Sequence, residues 1–88
     1  MNEQEITDQL VKEGFGEVAV YADSAGFEYA THTHEKLTAH VILVGEMELT
    51  DKNGTKKLIA GERFDIPAGT THSVKMGSLG CKYIIGEK

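Results

Sequence analysis

After Gly16 the chain stops reading with a helical period and alternates instead. The runs EVAVYA, FEYATHTH, HVILV, MELT, KKLIA, RFDI, SVKM and CKYIIG follow one another closely, parted by glycines or polar turns. Successive side chains on a strand point to opposite faces, so short alternating runs read as strands with one face buried. Ten glycines and a single proline serving eight such runs predict a closed or doubled antiparallel sheet. The clearest turn is DKNGTK, where Asn53-Gly54 suits a two-residue type I′ hairpin loop. That register sets Leu49 across from Leu58 and Asp51 across from Lys56, an apolar pair and an ion pair.

Ahead of the strands, residues 3–13 (EQEITDQLVKE) place Ile6, Leu10 and Val11 on one helical stripe, and Gly14 follows as a stop. A helix this short needs a surface to dock on. The expected organisation is therefore a helix over residues 1–15 packed on one all-β domain over residues 16–88. With 88 residues there is room for one domain. A domain of that size buries only roughly 60–65% of its extended surface, so a metal ion or a partner subunit would add useful stability.

Charge narrows the partners. Fourteen acidic against nine basic side chains give a formal charge of −5, which argues against non-specific nucleic-acid binding, because that needs a basic face. No basic amphipathic helix and no apolar run near 20 residues points to a membrane. The polar, acidic start MNEQEITDQL is not a secretory signal, and one cysteine, Cys81, cannot form an internal disulfide. A soluble cytoplasmic protein is the expectation.

The histidines carry the chemistry. Three of the four lie in THTHEKLTAH, Thr31 to His40. His32 and His34 are two apart in a strand-like run, so both face the same way and can grip one ion. His72 comes much later, directly after PAGTT. Neutral imidazole is the commonest protein ligand for borderline divalent metals. For a lone histidine a solvated or hydrogen-bonded side chain is the better reading; for an H-x-H pair on a strand the two readings are nearly even.

Two stretches match a known pattern. GFEYATHTHEKLTAHVILVG, Gly26 to Gly45, resembles the first cupin motif, G-x5-H-x-H-x3,4-E-x6-G, through Gly26, His32, His34 and Gly45. GERFDIPAGTTHSVKM, Gly61 to Met76, resembles the second, G-x5-P-x-G-x2-H-x3-N, through Gly61, Pro67, Gly69 and His72. The resemblance implies a small cupin: a jelly-roll, or double-stranded β-helix, barrel with a short N-terminal helix. It also implies a divalent transition metal (Fe, Zn, Ni or Mn) held by His32, His34 and His72, and pairing into a homodimer.

The chain departs from the pattern twice. The motif's glutamate, the usual fourth ligand, would fall at Thr38, and its closing asparagine at Met76. A hydroxyl is a poor ligand beside imidazoles, so a neutral three-histidine site remains, and such a site favours an anionic or bidentate oxygen or sulfur ligand from outside. His40 lies two residues past Thr38 on the same strand face; it is expected to line the pocket or support the ligands, or to ligate after a local bulge. Glu28 has the strand parity of His32 and could bring a carboxylate near the pocket, although a solvated place at the rim is preferred. Met76 shares the parity of His72 and Val74 and is expected inside the barrel. Phe27, Tyr29, Phe64, Tyr83 and Ile85 are assigned to packing.

No nucleophile triad, P-loop or C-x-x-C is present. Three functions remain open: a metal-dependent oxygenase or isomerase acting on a small acid, a non-catalytic metal- or ligand-binding module of the sensor type, and a scaffold with a vestigial site.

Overall fold

The computed structural model describes residues 2–88. One helix, α1 (Glu3–Lys12), precedes six strands: β1 (Glu17–Asp23), β2 (Glu28–His32), β3 (Thr38–Asp51), β4 (Gly54–Ile59), β5 (Arg63–Ile66) and β6 (His72–Glu87). The eight runs of the sequence become six strands because HVILV and MELT fuse into β3, and SVKM and CKYIIG into β6. The glycines between them bend a strand without ending it.

All pairings are antiparallel, and the two long strands run through the whole molecule. The first part of β3 pairs with β5 and with the end of β6, and β6 in turn carries β1. The second part of β3 pairs with β4 and with the start of β6, which carries β2. Two layers thus share β3 and β6, as in a jelly roll. Their facing sides form one core in which Ile42, Ile66 and Tyr83 from the first layer meet Leu49, Leu58 and Met76 from the second.

The β3–β6 register slips between Ile42 and Val44 and again between Gly45 and Met47. Each slip is a bulge, and a bulge exchanges the face a strand presents. Even positions of β3 point inward before it (Thr38, His40, Ile42), and odd positions do so after it (Met47, Leu49). Gly45 (φ +82°) and Gly80 (φ +75°) sit against each other at this corner, and a Cβ on Gly45 would overlap the Gly80 carbonyl oxygen.

The β3–β4 hairpin differs from the expected one. Asp51 pairs with Gly54 and Leu58 faces Met47, so Leu49 lies across from Lys56. A type I′ loop needs positive φ at both central residues, yet only glycines have positive φ among the described residues. The Asp51 carboxylate instead accepts from the Asn53 N–H at 2.8 Å, and Gly54 takes φ +114° after it. Asp51 therefore draws the chain into a different turn and shifts the register.

Helix α1 begins on Asn2, whose side chain accepts from the Glu5 N–H. It ends in a Schellman closure, Phe15 N–H to Leu10 O and Gly14 N–H to Val11 O, both 3.0 Å. That closure folds Phe15 onto Leu10, and both are buried with Ala39, Val41 and Ile84 on the outer side of the first layer. Only Ile6 and Leu10 of the expected stripe face the sheet; Val11 is 58% exposed, one step too far round the helix. Arg63 clamps the helix end by donating to both Glu13 oxygens at 2.8 Å, and this holds the Glu13 carboxyl down to about 2. No helix of the described residues is long and apolar enough to cross a membrane.

Candidate metal centre

β2 carries a bulge that builds the site. Glu28 pairs with Lys75 and Tyr29 with Val74, but His32 pairs with His72, so β2 has one residue more than β6 over this stretch. The extra residue turns both Tyr29 and His32 into the pocket although they are three apart. It also breaks the parity that tied Glu28 to His32. Glu28 lies outside the pocket, exposed, with its carboxylate 3.7 Å from Lys75 Nζ.

His32, His34 and His72 come together from two distant segments. Their ligand nitrogens all lie within 4.8 Å of one another. The rings are close, with centroids 4.8 Å apart for His32–His34, 4.3 Å for His32–His72 and 5.2 Å for His34–His72. His32 Nδ1 lies 2.6 Å from the Ala30 carbonyl and His72 Nδ1 3.0 Å from the Thr70 carbonyl. A carbonyl only accepts, so in both rings Nδ1 carries the hydrogen and Nε2 keeps the lone pair. The turn before His72 also fixes His34: the Gly69 N–H donates to the His34 carbonyl at 2.8 Å. Gly69 manages this at φ +78°, and Pro67 pre-sets the turn.

These residues fit a divalent metal. His72 is 2% exposed, and its Nε2 is buried without a hydrogen-bond partner. A buried lone pair left unpaired costs free energy, and a cation would satisfy it. The Nδ1–carbonyl bonds are the outer support that orients imidazole ligands. Burial, followed by the neighbouring His32 and His34, pushes the His72 pKa below the ordinary value, which keeps the lone pair available.

The centre opens into a cavity of about 200 Å³ between the layers. His40 lines it but stands outside the three-nitrogen cluster. Thr38 is fully buried and donates to the Lys36 carbonyl at 3.2 Å; neither it nor Met76, which packs into the core, lines this cavity. Tyr21, Tyr29 and Tyr83 form a wall; Tyr29 and Tyr83 were expected only to pack, and Tyr21 had no expected role. Tyr83 donates to Asp23 at 2.6 Å and Tyr29 to the same oxygen at 3.0 Å. Burial and then Asp23 raise the Tyr83 pKa well above the phenol range, so its proton stays in place. The strands that carry Tyr21 and Tyr83 were visible as alternation, but neither their pairing nor the β2 bulge that delivers Tyr29 was. A second cavity, of about 220 Å³, lies between α1 and the sheet and is lined mainly by Ile6, Leu10, Val41 and Leu43; its one cation, Arg63, is committed to Glu13 and Asp65.

His40 is 3% exposed with Nδ1 unpartnered, and burial, then His72 and His34, pulls its pKa down to about 4. In the unfolded chain it would titrate near 6.5. Between about pH 6.5 and pH 4 the unfolded state therefore binds more protons, and stability falls as pH falls. Metal-free protein is expected to lose about 3 kcal/mol across that window from His40 alone. Urea unfolding at a series of pH values checks this, and His40→Phe should flatten the slope.

No protein-family model and no curated protein matches the sequence. Among solved structures the chain is similar to a cupin-2 domain containing protein from Shewanella frigidimarina, at 24% identity and TM-score 0.70 over 80% of this chain and 67% of that one. It is similar also to a cupin superfamily protein from Desulfitobacterium hafniense, at 18% identity and TM-score 0.74 over 80% of this chain and 63% of that one. A variant of oxalate decarboxylase from Bacillus subtilis aligns at 16% identity and TM-score 0.72, over 81% of this chain and 20% of that one. The chain thus spans about two-thirds of the length of the first two proteins and a fifth of the third. These likenesses define the class: an antiparallel all-β fold of the cupin type. The chain thus has the fold of a small cupin domain, with a three-histidine cluster between its layers.

Proposed function

We propose that the protein holds one divalent transition metal (Fe, Zn, Ni or Mn) on His32, His34 and His72 and, through it, binds a small organic acid. The observation that carries this is the pair of Nδ1–carbonyl bonds on His32 and His72, which leave Nε2 of both rings as the ligating nitrogen. With Thr38 in place of a carboxylate, the protein ligands are neutral, and an anion from outside would balance the charge. The cavity of about 200 Å³ suits a ligand of few heavy atoms. When bound, the metal would act as a Lewis acid on the acid's oxygens. Oxygenase or isomerase chemistry on the held acid is the catalytic form of this reading.

A non-catalytic binding role is the second reading: His40, which lines the cavity outside the three-nitrogen cluster, is buried with Nδ1 unpartnered, and burial keeps it neutral. A homodimer belongs to the same reading. β1 pairs only with β6 among the described residues, which leaves its other edge for a second copy, with Val20 and Tyr21 exposed beside it.

Elemental analysis of untagged protein should find one metal per chain, released below about pH 6 as the imidazoles protonate. Metal-loaded protein is then given small acids, and oxygen uptake and solvent deuterium incorporation are followed. Consumption or exchange supports catalysis, and binding without either supports the sensor type. Absence of stoichiometric metal after reconstitution overturns the proposal.

A further inference from the structure

The far side of the histidine cavity has an unusual charge. The rows on the inner face of the first layer are Thr38 opposite Glu87, His40 opposite Ile85 and Ile42 opposite Tyr83. Glu87 is half-buried and lines the same cavity as His32, His34 and His72. It enters from β6, beside the position where the motif's own glutamate is replaced by Thr38. Its place is set by a two-bond clasp next to it, Leu37 N–H to Lys88 O at 2.9 Å and Lys88 N–H to Leu37 O at 3.0 Å.

Nothing nearby neutralises it. Among the described residues no lysine or arginine lines the cavity. Glu87 makes no ion pair among the described residues, and the two lysines at that end are engaged elsewhere, Lys36 with Glu17 at 3.3 Å and Lys88 with the Glu13 carbonyl at 2.6 Å. The phenol two rows further along the same face of β6, Tyr83, has its proton committed to Asp23. Glu87 is not one of the clustered ligand atoms, so it acts on what the metal holds, from across the cavity. A carboxylate accepts hydrogen bonds and repels anions.

We propose that Glu87 makes the pocket select monoacids whose end remote from the metal carries a proton donor, a hydroxyl or an ammonium, and reject diacids. This rests on the three-histidine reading, since the metal takes the acid end. A second carboxylate on the ligand would sit in a partly desolvated pocket facing Glu87 with no cation to balance either group. A hydroxyl or ammonium there would give Glu87 a charge-assisted partner.

The test uses a series on one carbon frame: β-alanine, β-hydroxypropanoate, butanoate and succinate. Binding of each to cobalt-loaded full chain is measured by calorimetry and by the cobalt visible spectrum. β-Alanine and β-hydroxypropanoate are expected to bind at least about tenfold more tightly than butanoate, with succinate weakest. In Glu87→Gln the spread between β-hydroxypropanoate and succinate should shrink to within about threefold, and in Glu87→Lys succinate should become the tightest, with one cobalt per chain throughout. Succinate binding the parent protein as well as the donors do would overturn the proposal whatever the variants show. So would an unchanged order in a folded Glu87→Gln that still takes up one cobalt. Failure of the parent to take up cobalt sinks the metal reading instead and is read separately, by elemental analysis.

Discussion

His72→Ala is expected to abolish metal binding while leaving the metal-free fold within about 2 kcal/mol of the parent. The two effects separate because His72 does little for the fold. Its Nε2 is buried and unpartnered, a standing cost of about 1–3 kcal/mol, and removing it offsets part of the cavity that alanine leaves. Metal affinity has no such offset. Apparent binding energies of roughly 10–16 kcal/mol in structural zinc sites are shared among a few ligands, so losing one of three should weaken binding on the order of a thousandfold or more. Competition against a chromophoric chelator measures affinity, and urea unfolding of chelator-treated protein measures the fold. Parent-like affinity in the variant would end the assignment of this residue.

Gly45→Ala should damage the fold far more than its single added methyl suggests. Gly45 has φ +82°, where an L-residue costs about 1–2 kcal/mol. The added Cβ would also overlap the Gly80 carbonyl and crowd the Cys81 Cα, both backbone groups, and Cys81 is the partner of Gly45 in the β3–β6 ladder. Overpacking against backbone adds roughly 1–3 kcal/mol, so the total is about 2–5 kcal/mol, much of what a small domain has to lose. Gly54→Ala is the internal comparison. It sits at φ +114° with nothing within 4 Å of a new Cβ, and should lose only the backbone part, about 1–2 kcal/mol. Equal losses in the two variants would mean the corner is not packed as described.

The sequence made the strand character, the H-x-H pair and the turn that aims His72 legible, because alternation and glycine–proline punctuation are local signals. What it concealed came from bulges. Period-two reasoning assumes unbroken pleating, and β2, β3 and β6 each depart from it. That is why Tyr29 enters the pocket, while Glu28 takes the solvated place preferred for it, and why Gly45 looked like a gap between strands. The hairpin register was missed for a different reason: the Asp51 side chain, which competes for a backbone N–H, outweighs the Asn-Gly pair next to it. Tyr21 and Tyr83 were legible as alternating residues but not as a wall, since the sequence does not say which void a strand face looks into.

Because β3 and β6 each pass through both layers, neither layer can be assembled and kept while the other is loose. A partly formed barrel would have to hold these two long strands together over a wide separation in sequence with half their ladder unmade, an entropically poor state. Amides of the buried rows that β3 and β6 share in the two layers, around Val41–Ile84 and Leu49–Val74, should therefore be the last to exchange with solvent, opening only when the entire molecule does.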